Sequence, residues 1–169
     1  MLTSGQQILL EPWDKAEGLN AFFATQCSAP ASTSIPELPA AVGVDFSFTE
    51  LSSGNILAEL GNLHVWKYYG LDCVSPRLLK ECQSELVEPL CYLFNLSLST
   101  GVYPDQWKRS VVSPLYKQKG DRAQLSSYRP ISLLSAVSKV FGHLVKKQLL
   151  EFCLNQQVIP NEQFGYLPG

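Results

Sequence analysis

The chain has 169 residues, 46% of them hydrophobic and 17% charged, with a net charge of −2. That length supports one modest core and not two full domains. No run of about eighteen apolar residues is present to span a membrane, and the first residues lack the basic and apolar regions of a secretory signal. Five scattered cysteines (27, 73, 82, 91 and 153) without CxxC spacing point to free thiols in a reducing, intracellular setting, nuclear or cytoplasmic, and not to a zinc site.

In chain order, Met1 to Gly18 shows no clear period, and Glu11-Pro12-Trp13 is expected to break any early helix. Leu19, Phe22 and Phe23 have helical spacing, which predicts a short helix over Lys15 to Cys27. Ser28 to Ala41, rich in Ala, Ser, Pro and Thr, reads as a flexible linker. Residues 1–52 are therefore expected as an N-terminal segment and 53–169 as the folded domain. Ser53 to Trp66 is predicted helical, with Ile56, Leu57, Leu60 and Leu63 on one face and Ser53 or Asn55 as the cap. His64 has no visible metal partner and reads as a surface or packing residue. Tyr68 to Cys73 holds a turn. Ser75-Pro76 is a helix start, with Leu78, Leu79 and Cys82 facing inward. Pro89 predicts a break near Val87 and a new helix from Glu88-Pro89, ended by Gly101.

Trp107 to Lys117 is rich in β-formers, and Gln118-Lys119-Gly120-Asp121-Arg122 is a charged turn. Ser127-Tyr128-Arg129-Pro130-Ile131-Ser132-Leu133-Leu134 follows, so the two segments predict a hairpin, or neighbouring strands, presenting Lys117 and Arg129. Pro114 cannot donate to a ladder and marks an edge or a bulge. Arg129 offers a planar fork to phosphate oxygens and Lys117 a point charge. A solvated basic loop beside a structural Arg-Pro turn is the plainer reading, and spacing alone leaves both open. Beyond it, Ser135 is placed to cap a helix with a buried stripe of Val137, Val140, Phe141, Leu144, Leu149 and Phe152. Lys139, His143, Lys146 and Lys147 fall on its other face.

The net charge hides an asymmetry. Residues 1–102 hold four Lys/Arg against eleven Asp/Glu, a balance of −7, and residues 103–150 hold nine against two, a balance of +7. A basic block in an acidic chain suits a nucleic-acid-facing surface, or is neutralised by the acidic half.

Taken together, Trp107 to Lys117, Tyr128 to Leu134 and Ser138-Lys139-Val140-Phe141 resemble the fingers region of a non-LTR (LINE-type) retrotransposon reverse transcriptase. Leu78 to Cys82 and Leu93 to Gly101 precede these pieces in the family's order, and Gln163-Phe164-Gly165-Tyr166-Leu167-Pro168-Gly169 follows. The resemblance covers roughly Asn55 to Gly169. It implies an α+β fragment, mostly helical with a small antiparallel β-ribbon, in which Lys117, Arg129 and Lys139 match positions that meet nucleotide or template. Relatives carry Gly-Pro-Asp-Gly at the 70–73 turn, where this chain keeps Gly70 and Asp72 but has Leu71 and Cys73. They also carry an arginine where Leu167 stands.

In the family the palm follows this region and holds two magnesium ions on carboxylates. Those carboxylates are not in the sequence, so no catalytic or metal residue and no cofactor are expected here. The expectation is a truncated, catalytically inactive RNA-directed DNA polymerase domain that binds RNA or DNA backbone weakly and without sequence preference. A small protein-interaction module is the alternative. An exposed palm-facing surface is expected to show as dye binding and a broad melting transition, or as self-association.

Overall fold

The computed structural model describes residues 1–5, 7–27, 45–160, 162, 163 and 165. The expected linker, Ser28 to Ala41, and much of the closing motif, including Phe164 and Leu167, lie outside the described residues. The chain divides into two units, Met1–Glu37 with Val111–Leu133, and Leu38–Ser110 with Leu134–Gly169. Each has its own buried cluster, so the single core expected from the length is replaced by two.

The first unit opens with an antiparallel hairpin, β1 (Leu2–Ser4) and β2 (Gln7–Leu9), in which Leu2 faces Leu9 and Thr3 faces Ile8. Gly5 turns it with φ +60°, a backbone region that favours glycine. Helix α1 spans Pro12–Cys27. Pro12 therefore opens a helix where it was expected to break one. In the first turn its missing N–H has no intrahelical acceptor to lose, and its fixed φ suits the start. Leu19 and Phe23 of α1 are buried with Leu2, Leu9 and Leu125.

In the second unit, α2 spans Ser53–Gly61, shorter than the Ser53 to Trp66 reading. Its cap is Ser52, whose hydroxyl accepts from the Asn55 N–H while the Asn55 side chain accepts from the Ser52 N–H. Asn55 is thus the third-position partner of a capping box and not the cap itself. Helix α3 (Pro76–Glu81) starts as the sequence suggests, with Ser75 Oγ accepting from the Leu78 N–H. The expected break at Val87 occurs instead at Cys82, and α4 runs unbroken from Gln83 to Thr100 with Pro89 inside it. Burial of Leu90 and Phe94 offsets the one ladder bond that Pro89 forfeits. Gly101 ends α4 with φ +68°, as its position indicated.

Asp105–Lys108 forms one helical turn, α5, so Trp107 and Lys108 are not strand residues. Trp107 instead packs on Phe94 and Phe141 at ring separations of 5.7 Å each. Strands β3 (Ser110–Tyr116) and β4 (Tyr128–Leu134) form a two-stranded antiparallel sheet. In a pair, both strands are edges, which accommodates Pro114.

Helix α6 (Ala136–Asn155) is capped by Ser135, whose hydroxyl accepts from the Ser138 N–H at 3.1 Å. Val140, Phe141 and Leu144 are buried with Ile56, Leu60, Leu79 and Phe94, whereas Leu149 of the expected stripe is exposed. Two amides fasten the extended segment before α2. Asn95 bonds both the N–H and the carbonyl of Leu51 at 2.8 Å each. Gln148 does the same for Thr49 at 2.9 and 3.0 Å. Each supplies the two bonds a neighbouring strand would have made. Helix predominates over strand, which agrees with the α+β class. Among the described residues no helix is long and apolar enough to cross a membrane.

Candidate nucleic-acid interface

The connection between β3 and β4, residues 117–127, is longer than the five-residue turn read from sequence. Its neck is closed by the Lys117 N–H donating to the Ser127 carbonyl at 2.9 Å. Gln118 (φ +58°) and Gly120 (φ +86°) reverse the chain. Gly120's left-handed φ is what favours glycine there; a Cβ would also stand 2.8 Å from Ser127 Oγ, a hydroxyl able to rotate aside. Asp121 accepts from the Ala123 N–H at 2.9 Å, a local turn typical of aspartate.

Two tyrosines fix the loop from its ends. The Tyr116 hydroxyl donates to the Gly120 carbonyl at 2.6 Å, and the Tyr128 hydroxyl to the Arg122 carbonyl at 2.9 Å. Their rings lie 5.8 Å apart, and the Arg122 guanidinium sits 4.9 Å from the Tyr116 ring centroid. The N-terminal hairpin holds the far side. Both the Thr3 N–H and hydroxyl donate to the Ala123 carbonyl, at 2.7 and 3.0 Å, and Leu125 is buried in the first unit's cluster. From sequence, residues 1–27 fall in a separate N-terminal segment, and Tyr116 and Tyr128 read as strand residues with no role for their hydroxyls. Their place on either side of a Gly-Asp turn was the available signal.

This scaffold presents an open recess of about 550 Å³ lined by Lys117, Lys119, Gly120, Ser126, Ser127 and Arg129. Its walls carry three cations and no carboxylate. Lys117 Nζ donates to the Ser126 carbonyl at 2.9 Å, which holds the ammonium at the recess. Arg129 is exposed, and among the described residues its guanidinium makes no hydrogen bond or ion pair. Lys108, by contrast, is paired with Asp105 at 2.7 Å, and that bond holds the Asp105 carboxyl below its ordinary range.

Of the three candidate residues, Lys117 and Arg129 share this recess. Lys139 belongs to the second unit and lines a different cavity, together with His64 and His143. Among the described residues no three His, Cys, Asp or Glu side chains converge as a metal site would need.

No protein-family profile matches the chain. It is 30% identical over 114 residues to the probable RNA-directed DNA polymerase from transposon BS of Drosophila melanogaster, a match covering 68% of this chain and 13% of that protein. From the same organism, the probable RNA-directed DNA polymerase from transposon X-element is 31% identical over 100 residues, 59% of this chain and 11% of the relative. The RNA-directed DNA polymerase from mobile element jockey is 28% identical over 107 residues, 63% and 12% respectively. The chain thus spans about an eighth of the length of the relatives it matches.

Proposed function

For a chain related to the RNA-directed DNA polymerases of non-LTR retrotransposons, we propose that this region is the fingers-like part of such a polymerase. In this reading it contacts the sugar-phosphate backbone through the β3–β4 ribbon and performs no nucleotidyl transfer by itself. The observation that carries the reading is the recess at Lys117, Lys119 and Arg129, basic on every charged wall. The Arg129 fork spans two phosphate oxygens, Lys117 adds a point charge, and Ser126 and Ser127 add polar rim groups.

These side chains offer cations and hydroxyls suited to phosphate oxygens, contacts that position a strand without reading its bases. The binding is therefore weak, blind to sequence and governed by counterion release. Among the described residues no carboxylate set converges to hold the magnesium that nucleotidyl transfer would use. Single-stranded RNA binding across a salt series tests the reading: affinity should fall steeply with salt and vary little with sequence.

A protein-interaction role is the second reading. It is favoured by a groove of about 810 Å³ beside α4, lined by Phe48, Tyr92 and Leu96, where Tyr92 is 69% exposed. Partner capture or self-association insensitive to salt, with no salt-dependent RNA binding, would favour it over the first.

A further inference from the structure

Residues 66–69 read Trp-Lys-Tyr-Tyr, and all four are exposed: Trp66 by 90%, Tyr68 by 49% and Tyr69 by 44%, with Lys67 between them. The Tyr68 and Tyr69 rings stack on each other, 5.5 Å apart and 8° from parallel. Of this segment, Lys67 and Tyr68 line a cavity of about 380 Å³. Helix α6 contributes Ala136, Lys139, Val140 and His143 to the same cavity, at the i, i+3, i+4, i+7 spacing of one helix face.

The lining has two characters. Tyr68, Leu63, Pro76, Ala136 and Val140 make it apolar and aromatic. Lys67, Lys139, His64 and His143 give it four basic side chains against the single carboxylate of Glu59, which lies 3.5 Å from His143 Nδ1. A bare phosphate has no use for the tyrosine face or the apolar wall. A purely apolar ligand has no use for the lysines. An aromatic base carrying a phosphate uses both, since every base has a face that stacks on tyrosine and its phosphate needs a cation.

We propose that this cavity is a nucleotide subsite, with a base stacked on Tyr68 and its phosphate held by Lys67 and Lys139. The subsite gives Lys139 a specific role and lies wholly in the second unit. It rests on the general reading that the chain meets nucleic acid, but on none of the ribbon's residues. From sequence His64 reads as a surface or packing residue and Tyr68 as the start of a turn, and Lys67 was not singled out. The alternation of aromatic and basic residues was the signal.

The chain contains two histidines, and both line this cavity. Their imidazole proton NMR signals therefore report on it without interference. The experiment titrates the full chain with inorganic phosphate, adenosine 5′-monophosphate and a twelve-residue adenosine oligoribonucleotide. Saturable movement of both histidine signals is expected with the nucleotide and with the oligonucleotide, and movement at least about tenfold weaker with phosphate. The oligonucleotide binding more tightly than twelve independent monophosphates identifies a strand as the source; equal affinity per base identifies the free nucleotide.

Tyr68→Ala should lower nucleotide affinity by about five- to a hundredfold, the loss of one base–aromatic stack, while Tyr68→Phe stays within about twofold. Lys139→Gln should weaken the nucleotide and spare any response to adenosine. The shifts should persist in a Lys117→Ala, Arg129→Ala double variant. Their disappearance there would assign all binding to the ribbon and overturn this subsite while leaving the ribbon's role intact. Histidine signals that ignore both nucleotide and oligonucleotide, that follow phosphate equally well, or that respond unchanged in Tyr68→Ala would also overturn it.

Discussion

Gly70 lies against the backbone of Ser135: a Cβ at residue 70 would stand 2.6 Å from the Ser135 nitrogen and 2.7 Å from its Cα. Ser135 is also the cap of α6, so the 70–73 turn and the start of the principal helix are seated on each other. Backbone cannot swing aside as a side-chain tip can. Gly70→Ala should therefore destabilise the second unit by about 1–3 kcal/mol, the usual cost of overpacking. Urea denaturation measures this, and an unchanged midpoint would contradict it.

Three residues on, Cys73 holds φ +57°, a left-handed conformation that costs a side-chain-bearing residue about 1–2 kcal/mol. Cys73→Gly should raise stability by about 0.5–1 kcal/mol, since part of that relief is offset by glycine's greater freedom when unfolded. A lower midpoint for Cys73→Gly than for the parent would refute the strain.

These two positions show how far the sequence could be read. The resemblance drew attention to the 70–73 turn because Gly70 and Asp72 are kept while Leu71 and Cys73 depart, and of the two departing residues Cys73 has the unfavourable φ. Ser75, Gly101 and Ser135 were legible because capping and termination depend on local chemistry. Pro89 and Pro12 were misread because local breaking power was weighed without knowing what the neighbouring turns bury. At the site, Lys117 and Arg129 could be picked out by charge and by turn. Their support by Thr3, Tyr116 and Tyr128 is set by long-range contacts and by hydroxyls that no periodicity encodes.

The tyrosine bonds give the loop its shape, so removing one hydroxyl should loosen it without unfolding the chain. Tyr128→Phe should speed amide exchange across residues 118–124 and lower stability by about 0.5–1.5 kcal/mol, the net worth of one hydrogen bond. RNA affinity should fall modestly with it. Exchange rates matching the parent would show that the Arg122 carbonyl is held by something else.

Primer extension tests whether this region performs nucleotidyl transfer by itself. The purified chain, with magnesium, a primed RNA or DNA template and all four deoxynucleotides, should extend no primer. Template-dependent extension above a vector-only preparation would mean that these residues carry a catalytic centre of their own.

The ribbon itself is tested most directly by single-stranded RNA binding, measured by anisotropy across a salt series for the parent, Arg129→Ala and Arg77→Ala. Arg77 is the control because it is 64% exposed and already paired with Glu81 at 2.7 Å, outside the basic recess. Each phosphate neutralised on a single strand contributes about 0.7 to the slope of log affinity against log salt. Arg129→Ala should lower the slope by about that amount and weaken all sequences alike, while Arg77→Ala should follow the parent. If Arg129→Ala follows the parent instead, the ribbon is not the surface that meets the phosphates.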